Sequence, residues 1–247
     1  MKITGNTILV TGGTSGIGLG LALRLREAGN TVVVAGRRRE LLERIADEHP
    51  GVGTVELDVT DPESIARARR QLVAAYPNLN VVVTAAGIMV TENLRDPHSL
   101  RVAEDTVATN LLGTIRTVYA FVPHLLTQDD AAILTVSSGL AFVPLPITPT
   151  YNATKAAVHS FSEGLRVQLA GTGIQVIELV PPAVRTTLMN QQDLESAMPL
   201  EEFLAETMAL LRAQPDAREI LVENVKFLRN AATDGTYDNV LALLSSH

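Results

Sequence analysis

Tyr151 and Lys155 stand four residues apart in Tyr151-Asn152-Ala153-Thr154-Lys155. On a helix that spacing puts both side chains on one face. A phenol with a pKa near 10 exchanges protons poorly at neutral pH. An ammonium one turn away favours the phenolate and is expected to lower that value. The pair is thus suited to give a proton to a carbonyl oxygen or take one from an alcohol. Such a pair also arises by chance and needs company. Ser138 lies thirteen residues earlier, at the end of an apolar run, and its hydroxyl can bond a substrate oxygen. Asn110 falls on an apolar stripe made by Ala103, Val107, Leu111, Thr114 and Val118. A buried amide must find partners, and taken alone Asn110 reads as a satisfied core amide.

A second group of residues is suited to hold an anion. Ile8-Leu9-Val10 runs into Thr11-Gly12-Gly13-Thr14-Ser15-Gly16-Ile17-Gly18 and then into a helical pattern. Glycines let the backbone turn sharply and approach a phosphate, and the helix behind them offers free N–H groups and a positive dipole end. Gly18 also allows the helix to pack closely on its strand. The plain alternative is a tight strand–helix loop, but a place in the first βαβ unit favours a dinucleotide site. The second strand ends at Ala35-Gly36-Arg37-Arg38-Arg39. An acidic residue usually stands there in an NAD site. Gly36 takes its place, and arginines at a helix N-terminus oppose the dipole unless an anion repays them. A ribose 2′-phosphate fits, so NADP(H) is expected over NAD(H), with a solvated basic cluster as the alternative.

These groups need a frame. Ile8–Val10, Thr31–Ala35, Thr54–Leu57, Val81–Thr84, Ala132–Val136 and Ile174–Val180 read as strands, several of them near-continuous Val/Ile/Leu as a doubly covered sheet requires. Between them Ile17–Ala28, Arg38–Glu48, Pro62–Tyr76, Leu100–Leu126 and Tyr151–Leu169 read as helices. The alternation predicts an α/β fold: one Rossmann domain over residues 1–247, a doubly wound parallel sheet with helices on both faces. After Pro181-Pro182 the pattern weakens, and Pro199–Ala213 reads as a helix. A substrate lid is expected around residues 186–213, with a plain surface excursion as the alternative.

Composition narrows the class. The chain has 247 residues, 46% of them hydrophobic and 19% charged, an ordinary globular balance. The formal charge of −7 disfavours a nucleic-acid binder. No apolar run is long enough to span a membrane, and the first one is too short for a signal peptide. The absence of cysteine excludes thiolate metal sites and a Cys nucleophile, and agrees with a reducing, cytoplasmic location. The five histidines share no i, i+4 pair, so no helical metal site is expected. Neither a G-x-S-x-G elbow nor a P-loop lysine is present.

Together these residues resemble the classical short-chain dehydrogenase/reductase family over essentially the whole chain. The family's Thr-Gly-x-x-x-Gly-x-Gly matches Thr11 to Gly18, and its catalytic Asn, Ser, Tyr and Lys match Asn110, Ser138, Tyr151 and Lys155. The resemblance implies cofactor contacts at Gly12, Thr14, Ser15, Gly16, Ile17, Gly18, Arg37, Arg38, Asp58, Val59, Ala86 and Gly87. Tyr151, Lys155, Pro181, Val184 and Thr186 complete that set, with Asp58 on the adenine and Thr186 on the nicotinamide carboxamide. It implies that hydride passes between a nicotinamide and a carbonyl carbon while Tyr151 moves the proton and Ser138 holds the oxygen. Lys155 would lower the Tyr151 pKa and bond the nicotinamide ribose, and Asn110 would hold a relay water. A homodimer or homotetramer built on the Tyr151 helix and the long helix before it is also implied. Two departures stand out: Thr84-Ala85-Ala86-Gly87 replaces the family's Asn-Asn-Ala-Gly, and Pro182 replaces its Gly. Pro182, with Ser137 to Pro144, also resembles a bacterial subgroup named for lipoteichoic-acid D-alanylation, which says little of substrate.

An apolar pocket is expected from Ile88, Met89, Leu140–Val143, Ala183, Leu188 and Met189, with Arg185 solvated. It would suit an uncharged, fairly hydrophobic ketone or its secondary alcohol. The rival reading is a non-catalytic NADP-binding sensor or scaffold on the same fold.

Overall fold

The computed structural model describes residues 1–246. Seven strands form one parallel sheet: β1 (Thr7–Thr11), β2 (Thr31–Gly36), β3 (Gly53–Glu56), β4 (Leu79–Thr84), β5 (Ala132–Val136), β6 (Gln175–Leu179) and β7 (Glu219–Ile220). Their order across the sheet is β3-β2-β1-β4-β5-β6-β7. The order reverses between β1 and β4, where Thr11 pairs with Thr84 and both chains leave the sheet on the same edge. That crevice is where a doubly wound sheet binds its ligand.

Strand periodicity divides the core. Ile8, Val10, Val81, Val83, Leu134 and Ile177 share one core with α1 (Gly16–Glu27), whose Leu21 and Leu25 are fully buried. Leu9, Val33, Val82, Ile133 and Val176 point the other way, toward Ile65, Leu72, Phe121 and Leu165. These come from α3 (Pro62–Ala75), α5 (Gly113–Leu125) and α6 (Pro149–Gln168). Alternate residues of one strand thus feed two cores, which is why the strands read as unbroken apolar runs. Two further helices, α2 (Arg39–Glu48) and α4 (Leu100–Thr106), complete this half of the chain.

Three elements depart from the sequence reading. The long helix expected over Leu100–Leu126 contains a π-helical stretch, Val107–Leu112, between α4 and α5. A π turn rotates the face that follows it. Thr106, Asn110, Thr114 and Val118 are therefore buried, whereas the expected stripe members Ala103, Val107 and Leu111 are only half-buried. The second half of the expected lid is core. The helix α7 (Leu200–Ala213) buries Phe203, Leu204, Met208 and Leu211 and is tied to α1 by the Arg24–Glu201 ion pair. Finally, β7, α8 (Lys226–Arg229) and α9 (Tyr237–Ser245) were not foreseen; β7 closes the far edge of the sheet, and α8 and α9 pack together over Val143.

Candidate active site

The glycine turn after β1 and the turn after β4 are pressed together. A Cβ on Gly12, whose φ is +68°, would lie 2.6 Å from the Ala86 Cα. Only glycine fits there. A Cβ on Gly18 would strike the Gly12 carbonyl, so α1 sits directly on the turn. No side chain caps α1 and no acidic residue lies in its first turn, so its leading N–H groups open onto the crevice. On the β2 side, Gly36 backs onto Thr14. Arg37 lies 4.0 Å from the Asp58 carboxylate, Arg39 is bonded to Glu43 at 3.0 Å, and Arg38 is in no ion pair among the described residues. All three arginines are exposed, and Arg37 and Arg38 line the crevice.

Tyr151, Lys155 and Ser138 converge on the opposite wall. Pro149 opens α6, and the buried Thr148 and Asn152 pin its first turn, the Asn152 amide donating to the Leu145 carbonyl at 2.7 Å. Tyr151 and Lys155 are each 7% exposed. The Lys155 ammonium donates to the Val136 carbonyl at 2.8 Å and lies 5.5 Å from the centre of the Tyr151 ring. Ser138 follows β5, its Oγ accepting from the Leu140 N–H at 3.1 Å. Asn110 holds Ile88 at both ends: its Oδ1 accepts from the Ile88 N–H and its Nδ2 donates to the Ile88 carbonyl, each at 2.8 Å. Asn110 meets the core-amide reading. It is a satisfied buried amide, and it fixes the β4 turn: a Cβ on Gly87 would lie 3.4 Å from the Asn110 Oδ1 and 3.9 Å from the Lys155 Nζ.

The expected lowering of the Tyr151 pKa does not occur. Burial pushes the phenol up to about 12, the Ser138 hydroxyl pulling weakly the other way. Burial also pulls the Lys155 ammonium down to about 8, with Glu178 opposing. Desolvation outweighs the pair attraction because both groups are enclosed and the ammonium is turned to a carbonyl. At neutral pH the phenol therefore keeps its proton.

Crevice and wall form one cavity of about 1330 Å³. It is larger than a typical single-ligand site of about 300–1,000 Å³. All the expected catalytic and cofactor residues line it except Asn110, which acts from behind Ile88. Of the expected pocket residues, Ile88, Met89, Leu140, Ala183, Leu188 and Met189 line it, whereas Ala141, Phe142 and Val143 do not. Val143 is buried against Leu228, and Phe142 stacks with His159 and Arg229. Their places are taken by Leu145 and Ile147 and, from the C-terminal region, by Phe227, Leu228, Leu243 and Leu244. Leu243 and Leu244 fall in the apolar run Val240–Leu244, whereas Phe227 and Leu228 stand between Lys226 and Arg229 with no such signal.

Arg185 is not solvated as expected. Its guanidinium donates to the carbonyls of Leu194, Glu195 and Ala197 at 2.9–3.2 Å and closes the base of a loop bridged at Val184–Met198. At the tip of that loop, Met189 and Asn190 both have φ +55°, a left-handed conformation uncommon outside glycine. In place of the family's first Asn, Thr84 leaves a buried hydroxyl without a partner among the described residues.

The family model for short chain dehydrogenases matches residues 6–197. The chain belongs to the short-chain dehydrogenase family. It is 39% identical over 253 residues to an uncharacterized oxidoreductase of Bacillus subtilis, DltE, covering 100% of this chain and 99% of that one. It is 31% identical over 231 residues to an uncharacterized oxidoreductase of Staphylococcus aureus, covering 90% of this chain and 99% of the relative. A short chain dehydrogenase from Burkholderia cenocepacia, solved with NADP, superposes with a TM-score of 0.83 at 28% identity, covering 99% of both chains. A 3-ketoacyl-(acyl-carrier-protein) reductase from Brucella melitensis, solved with NADH, gives 0.78 at 26% identity over 91% of this chain and 100% of the other. This short-chain dehydrogenase is thus an oxidoreductase of a family that uses NAD(P) and acts on small molecules. Its residues fit such a cofactor: the uncapped α1 terminus and the side-chain-free Gly12 floor would seat a pyrophosphate. No helix is long and apolar enough to cross a membrane among the described residues.

Proposed function

We propose that the protein is an NADP(H)-dependent reductase that interconverts an uncharged, apolar ketone and its secondary alcohol. The observation that carries this is a buried, neutral phenol, Tyr151, beside the Ser138 hydroxyl in a largely apolar cavity. When bound, the reduced nicotinamide supplies the hydride. Tyr151 gives its proton to the developing alkoxide, and Ser138 donates a hydrogen bond to the same oxygen. Lys155, protonated up to about pH 8, keeps a positive charge behind the phenol so that the phenolate left after transfer is stabilised. Asn110 fixes Ile88 and so the turn that the ring must pack against. Gly12, Thr14, Ser15, Gly16, Ile17 and Gly18 would hold the pyrophosphate, and Asp58, Val59, Ala86 and Gly87 the adenosine. Pro181, Val184 and Thr186 would hold the nicotinamide. Arg37 and Arg38 support NADP(H) over NAD(H): both are exposed on the crevice, Arg38 in no ion pair among the described residues and Arg37 held only at 4.0 Å by Asp58.

Four large apolar side chains are exposed at the cavity mouth: Ile147, Leu194, Phe227 and Leu243. Exposed apolar groups around a cavity mark a surface that is covered in use. The substrate would therefore carry an aliphatic or aromatic tail reaching the mouth, with residues 186–198 as the lid. The test is NADPH oxidation across ketones of increasing tail length. Turnover that rises with tail length and disappears in Tyr151→Phe is expected. NADPH binding with no turnover on any ketone would favour a sensor.

A homo-oligomer is proposed on the outer faces of α5 and α6. Leu112 and Tyr119 are exposed on one, Ala153, Gly164 and Val167 on the other. A Cβ on Gly164 would meet nothing within 4 Å among the described residues, and Ala153 and Val167 are exposed beside it, so this side of α6 is open.

A further inference from the structure

One buried acid is left unexplained by the reading above. Glu178, on β6, is 0% exposed. It pairs in register with Thr135 of β5, the neighbour of Val136, whose carbonyl receives Lys155. Its Oε2 meets the His159 Nδ1 at 2.8 Å, and His159 follows Lys155 by one turn of α6. Its Oε1 has no hydrogen-bond partner among the described residues. A carboxylate half-satisfied in this way costs stability, so its charge needs a use.

We propose that Glu178 is a positioning residue: its buried negative charge, held on His159, lies one turn along α6 from Lys155 and beside the strand position whose neighbour, Val136, receives the ammonium. The inference rests on the reductase reading for its meaning in turnover, but not for the electrostatics. Around Glu178 the charges nearly balance. Glu219, its register partner on β7, is held by Arg229 of α8 through both carboxylate oxygens at 3.0–3.3 Å. That pair is neutral. Glu178 meets His159 of α6 directly, whose Nδ1 also lies 3.7 Å from the Glu219 Oε1, and Lys155 stands one helical turn before His159. Glu163, also on α6, adds to the pull that Glu178 and Glu219 exert on the His159 proton. When His159 loses that proton, the Glu178 charge acts on Lys155 alone. Both effects are consistent with the directions found: Glu178 raises His159 and opposes the burial that lowers Lys155. His159, Glu178 and Glu219 bring ligating atoms within 4.8 Å of one another, but Arg229 already occupies Glu219, and the charge count is met without a metal.

The chain has three lysines, Lys2, Lys155 and Lys226, of which only Lys155 is buried. Lysine labelled with 13C at Cε thus gives three NMR signals, and the one that titrates near pH 8 is Lys155. In Glu178→Gln that midpoint is expected to fall, because the charge that opposes the effect of burial on Lys155 is gone. Glu178→Met removes the charge without leaving a buried amide and serves if the first variant folds poorly. Glu178→Asp should keep the wild-type midpoint. Neither NADPH nor substrate is needed, so this titration stands even if no ketone is turned over. With a working ketone, kcat of the Gln or Met variant should fall several-fold above pH 7 and its alkaline limb move to lower pH, with KM little changed. A Lys155 midpoint unmoved in both neutral variants would overturn the proposal, as would a moved midpoint with unaltered kcat.

Discussion

Gly36 offers the sharpest test of how this chain reads its cofactor. An acidic residue at this position would be the simplest way to turn the site toward NAD(H), but the structure forbids it as it stands. A Cβ on Gly36 would meet the Thr14 Cγ2 at 2.6 Å, whereas Thr14 Oγ1 and Cβ lie at 3.3 and 3.5 Å. The obstruction is thus one methyl group, and Thr14→Ser removes it. Forcing a side chain into filled space costs about 1–3 kcal/mol. For a domain of this length each kcal/mol moves the melting point by about 2 °C, so Gly36→Asp should melt about 2–6 °C below the wild type. Thr14→Ser/Gly36→Asp should recover most of that loss, a coupling that a double-mutant cycle reads directly. The new carboxylate would also sit beside Arg37 and oppose a 2′-phosphate. A loss of about 1.4–2.7 kcal/mol, or about 10- to 100-fold, is expected in NADPH affinity with little change for NADH. Scanning fluorimetry gives the first quantity and fluorescence titration the second. If Gly36→Asp melts with the wild type, the steric argument is wrong. If the double variant weakens NADPH and NADH equally, the charge argument is wrong.

Four further outcomes are expected. Lys155→Met should abolish turnover yet stabilise the fold: the wild-type ammonium, lowered from 10.5 to about 8, costs about 3 kcal/mol below pH 8, of which the lost Val136 bond takes back about 1. Because the folded value is depressed, the gain should be full below pH 8 and vanish as pH rises to the unfolded value, which thermal melts across pH 7–10.5 would show. His159 carries the opposite sign. Its folded pKa is raised, so its contribution is complete below the unfolded value near 6.5 and is lost as pH rises through the folded value; the stability gap to His159→Gln should narrow over that rise. Phe227→Ala should raise KM for long-tailed ketones several-fold and leave short ones unchanged in steady-state kinetics. Light scattering at micromolar concentration should give a dimer or tetramer, and Gly164→Arg should reduce it to a monomer; a wild-type monomer would refute the interface.

The parts of this protein that obey local rules could be read from the chain alone. Apolar runs such as Val81–Val83 announce strands buried on both faces, and the glycines of Thr11–Gly18 announce a turn whose conformation no other residue supplies. The four-residue spacing of Tyr151 and Lys155 likewise fixes a shared helical face. What the sequence could not supply depends on contacts between distant segments. The expected acidification of Tyr151 reversed because burial, a property of the whole enclosure, outweighs one nearby charge. Leu111 lost its place on the buried face to a π turn, which no period in the sequence records. Phe142 left the pocket because Arg229, 87 positions along the chain, stacks on it. The strand Glu219–Ile220 has two residues and no pattern of its own; only pairing with Glu178 and Leu179 makes it a strand. Periodicity and turn chemistry act over a few residues and are written in order, whereas charge, exclusion of water and the shape of the cavity are set by which segments fold against one another.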